Sequence, residues 1–212
     1  MPKRVDHAQR RAHIADALAR VAAREGLHTV TLRGVAAEAG VSLNLVQHYF
    51  GTKAELMHAA LLRLERLSHE RWSARLAQLP RPVTPRALFE AFLAEALPTD
   101  GPSRDFHLVW TAYATLAMTD PELAAQPFVE GPDRLERQLA EVLRRAQRDG
   151  ALDPRRDPAA EAARLLTLSH GLGTSVLVGQ RSPDAAHALL HAHLDEVFGA
   201  DETGGAHGAS SE

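Results

Sequence analysis

Four helix starts in this chain share one pattern, a good capping residue followed at once by proline: Thr84-Pro85, Asp120-Pro121, Asp157-Pro158 and Ser182-Pro183. A Ser, Thr or Asp side-chain oxygen accepts a bond from an orphan amide of the first helical turn. Proline at the first helical position forfeits no hydrogen bond there. Each pair therefore reads as a helix start. Around them Ala, Leu, Arg and Glu dominate, all strong helix formers. Runs of Val, Ile, Thr and aromatic residues alternating with period two are almost absent. The expectation is an all-α fold of about nine helices.

Start and stop signals divide the rest of the chain. Ile14, Leu18 and Val21 recur at helical spacing, and Gly26 stops that helix. Thr31 caps a short second helix ending at Gly40, and Ser42 caps a third. Thr52-Lys53-Ala54-Glu55 reads as a capping box opening a fourth helix that runs to about residue 78. Pro80, Pro82 and Pro85 make a break, and Gly101-Pro102 marks another. Gly150 ends a helix over Arg134–Arg148, and the last two helices are expected over Ala159–Val178 and Asp184–Phe198. Residues 200–212 are small and polar, the composition of a disordered tail. No internal repeat of fixed period is present.

Composition removes several function classes. The 212 residues include no cysteine, which excludes disulfides, thiol catalysis and Cys-based zinc sites. No apolar run is long enough for a membrane span, and the basic N-terminus MPKRVDHAQRRAH is not followed by the apolar stretch of a secretory signal. A cytoplasmic protein is expected. The net charge is −3, but residues 1–53 carry +4 and the remainder −7. A basic head on an acidic body is the polarity of a protein that meets phosphate at one end.

The segment Leu32–Phe50 has the pattern of a helix-turn-helix. A small residue, Ala36, stands where two helices touch, and Gly40 follows four later, where the turn needs positive φ. Val35, Ala39, Val41, Val46 and Tyr49 fall at the positions that clamp the helices together. The N-terminal end of the second helix exposes short polar groups, as entry into a major groove requires: Ser42, Asn44, Gln47 and His48.

The run TLRGVAAEAGVSLNLVQHYFGTKAEL, Thr31–Leu56, resembles the DNA-binding signature of TetR-type regulators, with one departure: Gln47 stands where the usual recognition-helix tyrosine is found. The resemblance implies that Thr31 and Arg33 meet the DNA backbone or an adjacent base edge. It implies that Leu43, Asn44 and Gln47 face bases, with Gln47 either reading a base or holding phosphate. Asn and Gln suit adenine, and Leu43 suits a thymine methyl. His48 and Tyr49 are expected at phosphates. Lys53 is expected to pair with a phosphate at the positive end of the fourth helix. Lys3, Arg4, Arg10 and Arg11 are candidates for steering DNA or entering its minor groove.

In the body, Phe106, Trp110 and Tyr113 share one helical face, with His107 beside them and Phe89 and Phe92 upstream. Thr167, His170 and Thr174 offer polar groups from a later helix. Together these make a candidate small-molecule site. The stretches DFHLVWTAYATLAMTDPEL and LLTLSHGLG are similar to the C-terminal domain of the BetI-like branch. An aromatic box of this kind can hold a quaternary ammonium by cation–π attraction. Leu165, Leu168, Leu172 and Val176, with Leu189, Leu190, Leu194 and Val197, form apolar stripes. The resemblance implies that they build a two-fold dimer interface.

The domains expected are residues 1–53 for DNA binding, 54–84 as connecting helix and linker, and 85–199 for ligand binding and dimerisation. The function expected is a homodimeric repressor that leaves a near-palindromic operator on binding a small effector. It needs no cofactor and no membrane. An activator or a ligand-independent regulator of the same fold is the alternative. A metal-dependent helical enzyme is the alternative of another class. It would use His187 and His191, which lie four apart on one face at a spacing that zinc accepts, near His193.

Overall fold

A computed structural model describes residues 2–199, with side chains from His7 onward. Among the described residues there are ten α-helices, one 3₁₀ turn and no strand. The helices are α1 (Pro2–Glu25), α2 (Leu32–Ala39), α3 (Leu43–Phe50), α4 (Lys53–Gln78), α5 (Pro85–Leu93), α6 (Gly101–Ala117), α7 (Pro121–Ala124), α8 (Glu130–Arg148), α9 (Pro158–Leu177) and α10 (Pro183–Phe198). The 3₁₀ turn, Leu27–Thr29, joins α1 to α2. The side chains of Lys3 and Arg4 and the segment 200–212 lie outside the described residues. No helix among the described residues is long and apolar enough to cross a membrane.

The four capping-residue–proline pairs all start helices, each with its side-chain oxygen accepting a bond from an amide of the first turn. The tenth helix comes from Gly101-Pro102, which opens α6 and is not the break expected. Asp100 caps that helix, its carboxylate accepting from the Ser103 amide at 2.7 Å, and the Ser103 hydroxyl accepts in return from the Asp100 amide. The expected helix from Arg134 begins a turn earlier, at Glu130. Pro132 sits within that first turn, where its missing N–H removes no bond.

Two hydrophobic cores form. The first gathers α1–α3 and the N-terminal half of α4, and takes in Val109, Tyr113 and Leu123 from α6 and α7. The packing of the head therefore runs well past residue 53. The second joins Trp72 on the C-terminal half of α4 to α5, α8, α9 and α10. Helix α4 belongs to both. Helix α6 packs against α1 and the 3₁₀ turn at one end and against α9.

Candidate nucleic-acid interface and body cavity

The turn between α2 and α3 depends on backbone geometry. Gly40 has φ +64° and ψ +34°, and its amide donates back to the carbonyls of Ala36 and Ala37. A Cβ here would meet nothing within 4 Å, so the requirement for glycine is conformational and not one of space. Thr31 caps α2 by accepting from the Gly34 amide (3.0 Å), and Ser42 caps α3 by accepting from Leu45 (3.2 Å). Val46 and Phe50 are buried on the inner face of α3. That leaves Asn44, Gln47 and His48 exposed together on its outer face, with Arg33 exposed on α2 and Leu43 half-buried against the core. Arg20 and Arg24 of α1 clamp Glu38 of α2 at 2.8 and 3.2 Å, which fixes the face relative to α1.

Tyr49 is half-buried. Its hydroxyl lies 2.9 Å from His7 Nδ1, and its carbonyl accepts from Arg11 at 2.6 Å. The Arg11 guanidinium also lies 4.4 Å from the centroid of the Phe50 ring. Arg11 thus buttresses the end of the recognition helix from within the protein, a role its place in a basic N-terminal run did not suggest. Arg10 remains exposed. Lys53 is half-buried at the first position of α4, beside a hollow that Asp120 and Glu122 also line.

The body holds a cavity of about 130 Å³ between α4, α5, α6, α8 and α9. Of the predicted pocket residues, Phe92, Phe106, His107, Trp110 and His170 line it. Trp110, His170 and Thr167 line an adjoining open groove. Phe89, Tyr113 and Thr174 line neither. Phe89 packs on Phe198, and Tyr113 is wholly buried in the first core, its hydroxyl donating to the Leu123 carbonyl at 3.3 Å. Thr174 is exposed and donates to the His170 carbonyl of its own helix.

Sequence reasoning missed the acids. Glu65 of α4 and Glu95, which follows α5, both line the cavity. Glu95 is held by Arg71 and Arg75 at 2.8 and 3.0 Å. Glu65 Oε2 is buried with no hydrogen bond, and Arg134 approaches no nearer than 3.9 Å. Burial raises the Glu65 carboxyl to about 7 against that weak pull. Burial lowers His107 to about 4, helped by nearby His170 and opposed by a hydrogen bond to the Glu95 backbone, and it lowers His170 as well. Both rings are therefore neutral near pH 7.

Most of the leucines expected at a subunit interface serve the protomer's own core. Leu165, Leu172, Val176, Leu190, Leu194 and Val197 are buried within one chain, so they have no area left for a partner. Leu168 and Leu189 are 39% and 50% exposed and do. His187 and His191 have ring centroids 6.2 Å apart, but His193 turns inward, 3.9 Å from Glu161. Among the described residues no three such groups converge on a point.

Residues 14–60 match the family described as bacterial regulatory proteins of the tetR family, and residues 85–199 match the C-terminal domain of BetI-type transcriptional repressors. The HTH-type transcriptional regulator PksA of Bacillus subtilis is 28% identical over 200 residues, 93% of this chain and 94% of that protein. A TetR-family regulator structure from Rhodococcus sp. superposes with a TM-score of 0.81 at 22% identity, covering 90% of this chain and 99% of that one. A transcriptional regulator of Saccharomonospora viridis solved in complex with choline has a TM-score of 0.74 at 27% identity, covering 90% and 98%. These relatives are regulators, not enzymes. The chain belongs to the TetR family of DNA-binding transcriptional regulators, with a BetI-type C-terminal domain.

Proposed function

We propose that this regulator is a cytoplasmic homodimeric repressor that holds a near-palindromic operator and releases it when a small molecule enters the body cavity. The observation that carries the reading is the course of α4. It starts at Lys53, directly behind the recognition helix, and runs unbroken to Gln78, placing Glu65 in the cavity wall on the way. A ligand that favours one position of Glu65 therefore favours one position of the reading head. It does so by its differential affinity for the two states. In a two-fold dimer the recognition helices must stand about 34 Å apart to meet successive major-groove faces, so a modest swing of α4 defeats binding. The choline complex of the Saccharomonospora relative supports a small-molecule effector for this body type. The exposed Leu168 and Leu189 support pairing through α9 and α10.

In this reading Asn44, Gln47 and Leu43 face bases. Thr31, Arg33, Ser42, His48, Tyr49 and Lys53 hold the backbone. The test is selection of DNA from a random pool at two salt concentrations, with Asn44→Ala and Lys53→Ala alongside. A near-palindrome is expected. Asn44→Ala should relax preference at one position of each half-site, by about 1–3 kcal/mol. Lys53→Ala should weaken all sites and lower the salt slope by about one. Recovery of no enriched sequence would sink the proposal.

A further inference from the structure

The polar groups around the cavity are unevenly satisfied. Glu95 is occupied by Arg71 and Arg75, and the Ser169 hydroxyl donates to the Leu165 carbonyl at 2.8 Å. His170 stacks on Trp110. Two buried polar atoms lining this space make no hydrogen bond: Glu65 Oε2 and His107 Nε2. His107 is 5% exposed and is hydrogen-bonded through its ring to the Glu95 backbone. A neutral imidazole has a single N–H. That proton lies in the Glu95 bond, so Nε2 is a bare acceptor. The cavity thus presents two unmet acceptors, one of them a carboxylate, against walls of Phe92, Phe106 and Trp110.

Three ligand classes fit this poorly. An anion meets the Glu65 carboxylate, while the cations nearby are committed or peripheral: Arg71 and Arg75 are bound to Glu95, and Arg134 is 55% exposed at the rim. A neutral apolar molecule leaves both acceptors unmet. A quaternary ammonium satisfies the aromatic walls but brings no N–H. Size is also bounded: an engineered cavity of about 150 Å³ takes benzene, so this one admits a single ring-sized molecule.

We infer that the cavity selects a compact ammonium that still carries N–H donors, its charge on Glu65 and a further N–H on Nε2 of His107. This rests on the reading of the cavity as the effector site. Glycines on two other helices hold the acceptors in place. A Cβ on Gly131 of α8 would stand 2.5 Å from the Glu65 carboxylate oxygens, and one on Gly173 of α9 would stand 3.1 Å from His107 Nδ1.

The test is calorimetric titration of the full chain at pH 8 with cyclohexylammonium, choline, cyclohexanol and cyclohexanecarboxylate. Cyclohexylammonium is expected to bind at least tenfold more tightly than each of the others. Glu65→Gln should lower that affinity at least tenfold, and His107→Phe should narrow the margin over choline. Circular dichroism checks the fold. Should Glu65→Gln not fold, Gly131→Ala displaces the same carboxylate and must show the same loss. Choline or cyclohexanol binding as tightly, no binding by any probe, or indifference to both Glu65→Gln and Gly131→Ala overturns the inference. Operator affinity separates the two readings. Tight cyclohexylammonium binding without DNA release leaves the selectivity standing and removes the effector role. DNA release by a molecule with no N–H does the reverse.

Discussion

Trp110 of α6 and His170 of α9 stack face to face, with ring centroids 4.3 Å apart and planes 22° from parallel. Both rings line the inner cavity and the outer groove, so the stacked pair, with Pro132 and Leu166, stands between the two spaces. Trp110→Ala is expected to merge them. Because Trp110 is only half-buried, the loss of stability should fall below that of a core tryptophan, at about 2 kcal/mol. Urea unfolding gives that number. Calorimetry should show at least a tenfold loss of effector affinity, and unchanged affinity would mean that the partition does not shape the site.

Gly131 faces Glu65 with no room for a methyl group. The obstructing atoms are the far end of a flexible side chain, so Gly131→Ala should not disturb the fold. Alanine in a helix gains up to about 1 kcal/mol over glycine. The expected outcome is a melting temperature equal to or above wild type together with weakened effector binding. A drop in melting temperature without change in binding would contradict it.

Glu65 and His107 should give opposite dependences of stability on pH. Glu65 is raised to about 7, so its contribution is present below its ordinary value of 4.5 and is lost as pH rises through 7. His107 is lowered to about 4, so its contribution is present above its ordinary 6.5 and is lost as pH falls through 4. Each window spans roughly 3 kcal/mol. Half-buried His170, lowered by desolvation, adds to the side that rises with pH. Glu65→Gln should therefore steepen the rise in stability between pH 4.5 and 7, and His107→Gln should reverse or flatten it. Affinity for an ammonium should climb as pH passes 7 and Glu65 ionises. Denaturant midpoints taken across this range check all three.

Arg11 holds the Tyr49 carbonyl and covers the Phe50 ring. Arg11→Ala removes a charge-assisted hydrogen bond and a cation–π contact, both exposed, for an expected loss of about 1 kcal/mol. It should weaken operator binding while leaving the selected sequence unchanged, because the residue positions α3 and reads no base. A changed consensus would instead place Arg11 in the groove.

Leu189→Glu puts a charge on the exposed face of α10 while sparing the buried core. Sedimentation is expected to show monomer where wild type sediments as dimer, with operator affinity lost in step. Persistence of the dimer in both Leu189→Glu and Leu168→Glu would move the interface elsewhere.

The reading head was legible in the sequence because its determinants are local. Ala36, Gly40 and Ser42 lie within one short stretch, and capping residues act on amides two or three positions away, so spacing alone carries the geometry. Composition likewise announced an all-helical chain, although Gly101-Pro102 reads as a break until Asp100 is seen to cap the helix it opens. The cavity was different. Phe92 and Trp110 line it while Phe89 and Tyr113 do not, yet all four are aromatic residues on apolar helix faces. Which face meets a void depends on how helices far apart in the chain pack. Glu65 is one acid among several on α4. Only the tertiary packing, with Gly131 of α8 set close against it, makes it a largely buried carboxylate whose Oε2 accepts no hydrogen bond. The leucines of α9 and α10 show the same limit. Periodicity identified an apolar stripe, but whether a stripe covers its own core or awaits a second copy is a question of leftover area, and only the packed protomer determines that.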